Sequence, residues 1–481
     1  MAEPYDVVII GSGPNGLAAA IRLAEAKLRV LVIEGHSRPG GGMRTSELTL
    51  PGRLHDVCSG AHPMGVLSPY LKTLPLKDHG LEWVFPKASV AHPLDGEPAV
   101  MLYRDVQRTA EQLGADAQSY RRLFRPFIGR VPALLEDALA PLGIPKHPFL
   151  LARFGLLAIR SASGLARGRF RDERARALLA GCAGHSVLPL EQWLTAAIGL
   201  IFVVTGHETD WPVARGGSES IARALVSLFL SKGGEIECDR WVKTAADLPP
   251  ARAYLFDTSP EQLATIGQPW LPEGYLRRLR RYRYGPGIFK VDWALSEPIP
   301  WRDPQVHNAS TVHVGGTLDE IEAAERAVWA GEHPERPYMI VVQQTNFDTT
   351  RTPDGKHTGY AYCHVPARSN VDLTHILEDQ IERFAPGFRD VIEERTPRST
   401  AEFESYNPNY RGGAITGGVA DYAQLFTRPV ARLNPYTTPN RHVFICSSST
   451  PPGGGVHGMC GYHAAEAVRR RIDRLPVLNT P

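Results

Sequence analysis

Paired cysteines are missing from this chain. Its six (Cys58, Cys182, Cys238, Cys363, Cys446 and Cys460) are scattered over 481 residues without a C-x-x-C. That pattern suits a reducing compartment and offers no metal site. Long hydrophobic runs are missing too. The longest, such as Leu194 to Thr205, falls short of the roughly 20 residues that span a bilayer. The first residues lead almost directly into an apolar run, with no charged, hydrophobic and cleavage regions in series, so no signal peptide and a cytoplasmic setting are expected. Neither sign of charge is in excess. Lys and Arg number 53 against 51 Asp and Glu, which argues against dedicated nucleic-acid binding. No internal repeat or low-complexity segment stands out. With 43% apolar residues the chain has ordinary means to bury cores, and at this length it needs two or more of them.

What is present begins at Tyr5. Asp6 to Ile10 is a short β-branched run of the kind buried in parallel sheets. Gly11-Ser12-Gly13-Pro14-Asn15-Gly16 is a G-x-G-x-x-G turn. Leu17 to Lys27 has helical spacing, and a second apolar run, Leu28 to Ile33, ends on Glu34. This is one βαβ unit. Gly11 permits the tight turn, Gly13 lets a pyrophosphate approach the backbone, and Gly16 lets helix and strand pack closely. The helix N-terminus presents free N–H groups to phosphate. A carboxylate at Glu34 can accept hydrogen bonds from ribose hydroxyls, which favours FAD or NAD over NADP without choosing between the first two.

Clustered glycines at Gly40-Gly41-Gly42, followed by Arg44 and Thr45, expose backbone N–H groups beside a phosphate-seeking charge. With the acid at Glu34 just before it, this stretch resembles the FAD-dependent amine oxidase and phytoene desaturase superfamily. Two further signatures fit the resemblance. One is Trp211 to Ser218, then a helix over Glu219 to Lys232, a Gly233-Gly234 turn and a strand over Glu235 to Lys243. The other is a last strand, Arg441 to Cys446, followed by Pro452-Gly453-Gly454-Gly455-Val456 and a helix over Tyr462 to Arg471.

The resemblance implies an α/β fold with a Rossmann-type FAD-binding domain of the glutathione-reductase-like class. A mixed-sheet substrate domain and a helical lid are interleaved with it. The expected divisions are 1–75, 206–262 and 438–481 for FAD, 76–104 and 263–437 for substrate, and 105–205 for the lid. It implies FAD contacts from Gly11, Gly13, Pro14, Asn15, Gly16, Glu34, Gly41, Gly42, Arg44 and Thr45. Gly60, Ala61 and His62 would lie along the flavin, Val242 near the adenine, and Thr258 at a return to the cofactor. Gly454, Gly455, Val456 and His457 would stand where a helix N-terminus can stabilise negative charge on a reduced flavin. His457 is the first candidate for a catalytic residue, with a structural histidine as the plain alternative; His62 and Arg215 are weaker candidates. Cys446 and Cys460 raise the question of a covalent flavin, but buried inert thiols are expected.

The implied activity is removal of hydride from a largely apolar substrate, with reoxidation by oxygen, a quinone or another acceptor. Amine-oxidase-type C–N oxidation is an alternative. So are a non-catalytic escort protein on the same fold, against which the intact glycine runs argue, and a plain NAD-dependent dehydrogenase, which leaves the later glycines unexplained. Within the lid, Arg121 to Arg171 interleaves apolar blocks with ten basic residues. This reads either as a solvated basic face or as a segment that lies on an anionic membrane. The sequence gives no oligomeric state, substrate or electron acceptor.

Overall fold

The computed structural model describes residues 3–478. In chain order, β1 (Tyr5–Ile10), α1 (Pro14–Glu25) and β2 (Val30–Ile33) form the expected βαβ unit, with β1 and β2 parallel. A small hairpin of β3 (Thr45–Glu47) and β4 (Leu54–Asp56) follows, then α2 (Pro63–Leu67), β5 (Trp83–Val84), β6 (Ala88–Leu94) and β7 (Glu97–Leu102). Seven helices come next: α3 (Val106–Glu111), α4 (Ala117–Phe124), α5 (Val131–Ala138), α6 (Pro148–Ala158), α7 (Ala162–Arg169), α8 (Glu173–Gly184) and α9 (Thr195–Thr209). The chain returns through β8 (Val213–Ala214), α10 (Glu219–Ser231), β9 (Glu235–Glu237), β10 (Ala251–Phe256), α11 (Pro260–Ile266) and α12 (Glu273–Arg280). The remaining elements are β11 (Gly287–Leu295), β12 (Ala309–Val314), α13 (Leu318–Ala330), β13 (Met339–Val342), β14 (His357–Val365), α14 (Thr374–Glu382), β15 (Ile392–Arg398), α15 (Thr400–Tyr406), β16 (Val443–Ile445) and α16 (Met459–Arg469).

Two sheets organise the molecule. The first is five-stranded and all-parallel, in the order β16-β10-β1-β2-β9. Its strands are apolar at successive positions because both faces are covered. Along β1, Val7 and Ile9 enter one core with α1, α10 and α16, while Val8 and Ile10 enter the other with α11 and α12. The second sheet has seven strands, β15-β11-β14-β13-β12-β6-β7, antiparallel except for the β12–β6 pair. One face packs on α14 and the turn after it, with Val291 and Trp293 in one core with Leu377, Ile381 and Phe388. The other faces α8, α9 and α13 and the cleft described below.

Differences from the sequence reading are at element ends. The strand expected over Glu235 to Lys243 stops at Glu237. Asp239 takes a left-handed φ of 56°, and the N–H groups of Asp239 and Arg240 donate to the carbonyls of His36 and Glu34. The chain therefore folds over the end of β2 and carries Trp241 and Val242 to the cleft. After β13 ends at Val342, Gln343 turns inward and accepts from Trp301 Nε1 at 2.9 Å. Asp105 caps α3, its side chain accepting from Gln107 N.

Candidate functional site

The site is built where the parallel strands end. The turn after β1 brings three glycines against β10. A Cβ at Gly13 would stand 2.7 Å from Asp257 Oδ2, and one at Gly16 would collide with the Gly11 carbonyl. This crowded floor leaves the other side of the loop as an open cradle lined by Gly13, Pro14 and Asn15. The Asp257 carboxyl accepts from Gly16 N at 2.8 Å. Burial pushes it up to about 7, against the opposing pull of the Gly16 N–H. Glu34, 9% exposed, closes the neighbouring wall. Its carboxylate accepts from Ser12 N at 3.0 Å and His36 N at 2.9 Å, and pairs with Arg44 Nη2 at 3.1 Å.

From this cradle one continuous cleft runs past Gly41, Gly42 and Arg44 to Gly60, Ala61 and His62. Opposite them stand Val242, Thr258, Gly454, Gly455 and Val456. It opens into an apolar and aromatic cavity under the mixed sheet, walled by Ile288, Ile340, Val342, Tyr360, Tyr362 and Phe202; the whole encloses about 500 Å³. Tyr360 reaches across so that its hydroxyl fills the space a side chain on Gly60 would need.

Four expected residues, His457, Thr45, Arg215 and Gly16, fall outside the cleft wall. His457 is a correction to the catalytic reading. It is 2% exposed, and its Nδ1 accepts from Met459 N at 3.0 Å. Burial lowers it to about 4, so it braces the glycine run as a neutral imidazole. Thr45 lies in a buried network, donating to Asp56 Oδ1 at 2.9 Å. Arg215 is on the surface, paired with Glu82 at 2.8 Å. His62 does line the cleft. Ser218 Oγ donates to the Ser59 carbonyl at 2.6 Å and so accepts from His62 Nε2 at 2.8 Å. His62 Nδ1 then carries a lone pair with no partner among the described residues. Burial lowers this imidazole to about 4. Gly16 contributes through its N–H to Asp257 rather than as lining. Cys446 and Cys460 are buried thiols held above their ordinary range by burial.

The sequence reading missed a charged layer beneath the cavity. On β11, Lys290 pairs with Asp292, which also meets His55 Nδ1 at 3.4 Å; all three are 1% exposed or less. Lys290 Nζ lies 4.2 Å from the centre of the Tyr360 ring. Burial alone would raise the Asp292 carboxyl, but Lys290 and His55 hold it below its ordinary value. The signal was available: two charges at alternate positions of a strand otherwise fit for burial. Arg351 forms a second buried centre. It donates to Asp56 at 2.7 Å and to Asp348 at 3.1 Å, while Asp56 accepts from Ser218 N and Asp348 from Gly216 N, both at 2.7 Å. This fixes the Gly216–Ser218 turn behind His62.

Open N–H groups at a helix N-terminus, a carboxylate at the end of the second strand and a long adjoining cleft are the donor set of a dinucleotide site. Comparisons with known proteins agree. Residues 9–73 match the model of the NAD(P)-binding Rossmann-like domain. The chain is 24% identical to pyridine nucleotide-disulfide oxidoreductase domain-containing protein 2 of Rattus norvegicus, over 98% of this chain and 94% of the relative. It is 29% identical to a limonene dehydrogenase polypeptide of Castellaniella defragrans (96% and 94% covered). With the neurosporene-forming phytoene desaturase of Rhodobacter capsulatus the identity is 24% (98% and 95% covered). An oxidoreductase from Methanosarcina mazei shares the fold, with TM-score 0.65 at 16% identity over 96% of this chain and 99% of that one. So does putrescine oxidase bound to putrescine, with TM-score 0.61 at 17% identity over 97% and 99%. Residues 9–73 thus match an NAD(P)-binding Rossmann-like domain, in a chain that is similar over nearly its whole length to dehydrogenase and desaturase relatives.

Proposed function

We propose that this protein is an FAD-dependent oxidoreductase that removes hydride from a largely apolar substrate. One observation carries the reading. The glycine cradle after β1 and the glycine run before α16 lie along a single cleft, which leads into an apolar cavity. Bound FAD supplies a two-electron acceptor for a C–H bond. The chain supplies the rest. N–H groups of the Gly11–Gly16 loop and the N-terminus of α1 hold phosphate, and Arg44 adds charge. Glu34 would take ribose hydroxyls in exchange for the Ser12 hydroxyl, which with Ser12 N, His36 N and Arg44 fills its four lone-pair positions. Val242 covers the adenine end, and Gly60, Ala61 and Gly454 to Val456 leave room for the ring. Tyr360 and Tyr362 wall the substrate and exclude water. Lys290 and Asp292 keep a fixed charge pair beneath Tyr360.

The all-parallel sheet with its three-part cleft supports the glutathione-reductase-like class for the FAD domain. The domain divisions expected from the sequence go with it: 1–75, 206–262 and 438–481 for FAD, 76–104 and 263–437 for substrate, and 105–205 for the lid. The names of the limonene and phytoene relatives, together with the apolar cavity wall, favour desaturase-like dehydrogenation over C–N oxidation. We place the protein in the cytoplasm, touching membrane through the lid. There Leu142, Ile144, Phe149 and Leu156 are exposed beside Lys146 and Arg153.

The test is the visible spectrum of the purified protein before and after denaturation. A flavin spectrum with the pigment released into the supernatant is expected, followed by anaerobic bleaching with the true substrate. A colourless protein that takes up no added FAD overturns the reading.

A further inference from the structure

One corner of the apolar cavity is polar. His364, on β14, lines it, as do His185 and Ser186 just after α8. His364 is 2% exposed, and its Nδ1 lies 2.7 Å from Oε1 of Glu325, itself 1% exposed, on α13. Among the described residues Glu325 has no other ionic partner, its Oε2 is unbonded, and so is the Ser186 hydroxyl. Burial, then the neighbouring His364, pushes the His185 imidazole down to about 3, which places His185 close to the same corner.

A buried carboxylate facing only an imidazole is tolerable when the pair carries no net charge. Two proton placements achieve this. In one, an imidazolium faces a carboxylate. In the other, a carboxylic acid donates to Nδ1 of a neutral imidazole. Both leave a hydrogen on Nε2. No described protein group accepts from that nitrogen, so it presents an N–H donor to the cavity.

We infer that His364, held by Glu325, anchors the ligand of this cavity through a neutral oxygen acceptor, a carbonyl or hydroxyl oxygen, on an otherwise apolar molecule. A carboxylate is disfavoured because it would add unpaired charge to a neutral pair. Position defines the ligand further. His364 is four residues along β14 from Tyr360, with both side chains on the cavity face. At about 3.3 Å per residue this is roughly 13 Å. Since Tyr360 abuts Gly60, the oxygen sits toward one end of the ligand and the bond to be oxidised toward the other. This last step rests on the flavoenzyme reading above; the anchoring itself does not.

The experiment titrates the purified, flavin-loaded protein with 2-decanone, decane and decanoate and follows tryptophan fluorescence, since Trp211 stands in the cavity wall. The ketone is expected to bind about tenfold tighter than either of the others, the effect of one satisfied buried hydrogen bond. His364→Phe should bring ketone and alkane within about twofold of each other, while His364→Gln, which keeps an N–H donor, should retain most of the preference. Equal binding of ketone and alkane, binding of neither, or a preference that survives in His364→Phe overturns the inference. The wild-type comparison decides alone where a variant fails to fold. A protein that takes up no added FAD yet still prefers the ketone would overturn the oxidoreductase reading and leave the anchor standing. A flavin-loaded protein without preference does the reverse.

Discussion

Asp257 sits under the glycine loop, where a second negative group would be expected to be unwelcome. Loss of solvent around it pushes its carboxyl up to about 7, from an ordinary value of 3.8. Between about pH 4 and pH 7 the folded chain therefore holds a proton that the unfolded chain has released. Stability contributed by this group falls as pH rises through that window and is gone above it, by at most about 4 kcal/mol. Asn fits the same space and still accepts from the Gly16 N–H. The thermal midpoint of wild type, plotted minus that of Asp257→Asn, should fall across pH 4 to 7 and level off above; a flat difference curve sinks the assignment. Little of this was legible beforehand. Residues that act through short local rules, such as Gly13, Glu34 and the Gly454 run, announce themselves by spacing. Asp257 and Glu325 act across strands and helices distant in sequence, and a lone acid after a strand carries no such mark. His457 misled for the same reason: motif position put it near the cleft, but its rotamer, set by the bond from Met459 N, faces the loop.

Elements were easier to read than their ends. The βαβ unit, α10 and α16 follow from apolar periodicity. Where β9 stops was hidden, because the bonds that end it go to Glu34 and His36, just past the end of β2. The packing of α16 on α1 was hidden too. Gly461 lies on the face of α16 that meets α1, and a Cβ there would run into the backbone carbonyl of Asn15, which cannot move without displacing the loop. Gly461→Ala is accordingly expected to cost about 2 kcal/mol or more in urea unfolding. It should also weaken FAD uptake, because α1 cannot shift without carrying Gly13 and Gly16 with it. Unchanged uptake would separate this contact from the cleft.

For the molecule as a whole, the lid is the part least like a buried layer. Ile144 and Phe149 are 100% and 91% exposed at a tip that also carries Lys146 and Arg153. Among the described residues no single helix is long and apolar enough to cross a membrane; α6 and α7 meet at 93°. Apolar side chains that enter the headgroup region with cations beside them bind anionic bilayers, and salt weakens the cationic share. Flotation with anionic liposomes at low salt should carry the protein upward. Ile144→Ser with Phe149→Ser should lower the bound fraction several-fold, and equal flotation of the two proteins removes the lid from the membrane. The sequence showed this alternation of apolar blocks and arginines, but not which blocks are covered. Leu150 and Phe154 are buried while Phe149 and Leu156 are not.

The two banks of the cleft come from opposite ends of the chain. Gly11 to Gly16 is made long before β16 and the glycine run; β16 completes the sheet by pairing with β10. A nascent chain still short of Val443 has β10 as an open edge and half a cleft. Such an edge invites pairing with other chains. Cofactor capture thus becomes a report on translation itself. On the proposed function, a chain stopped before Val443 would lack one bank of the cleft and take up less FAD than the full chain.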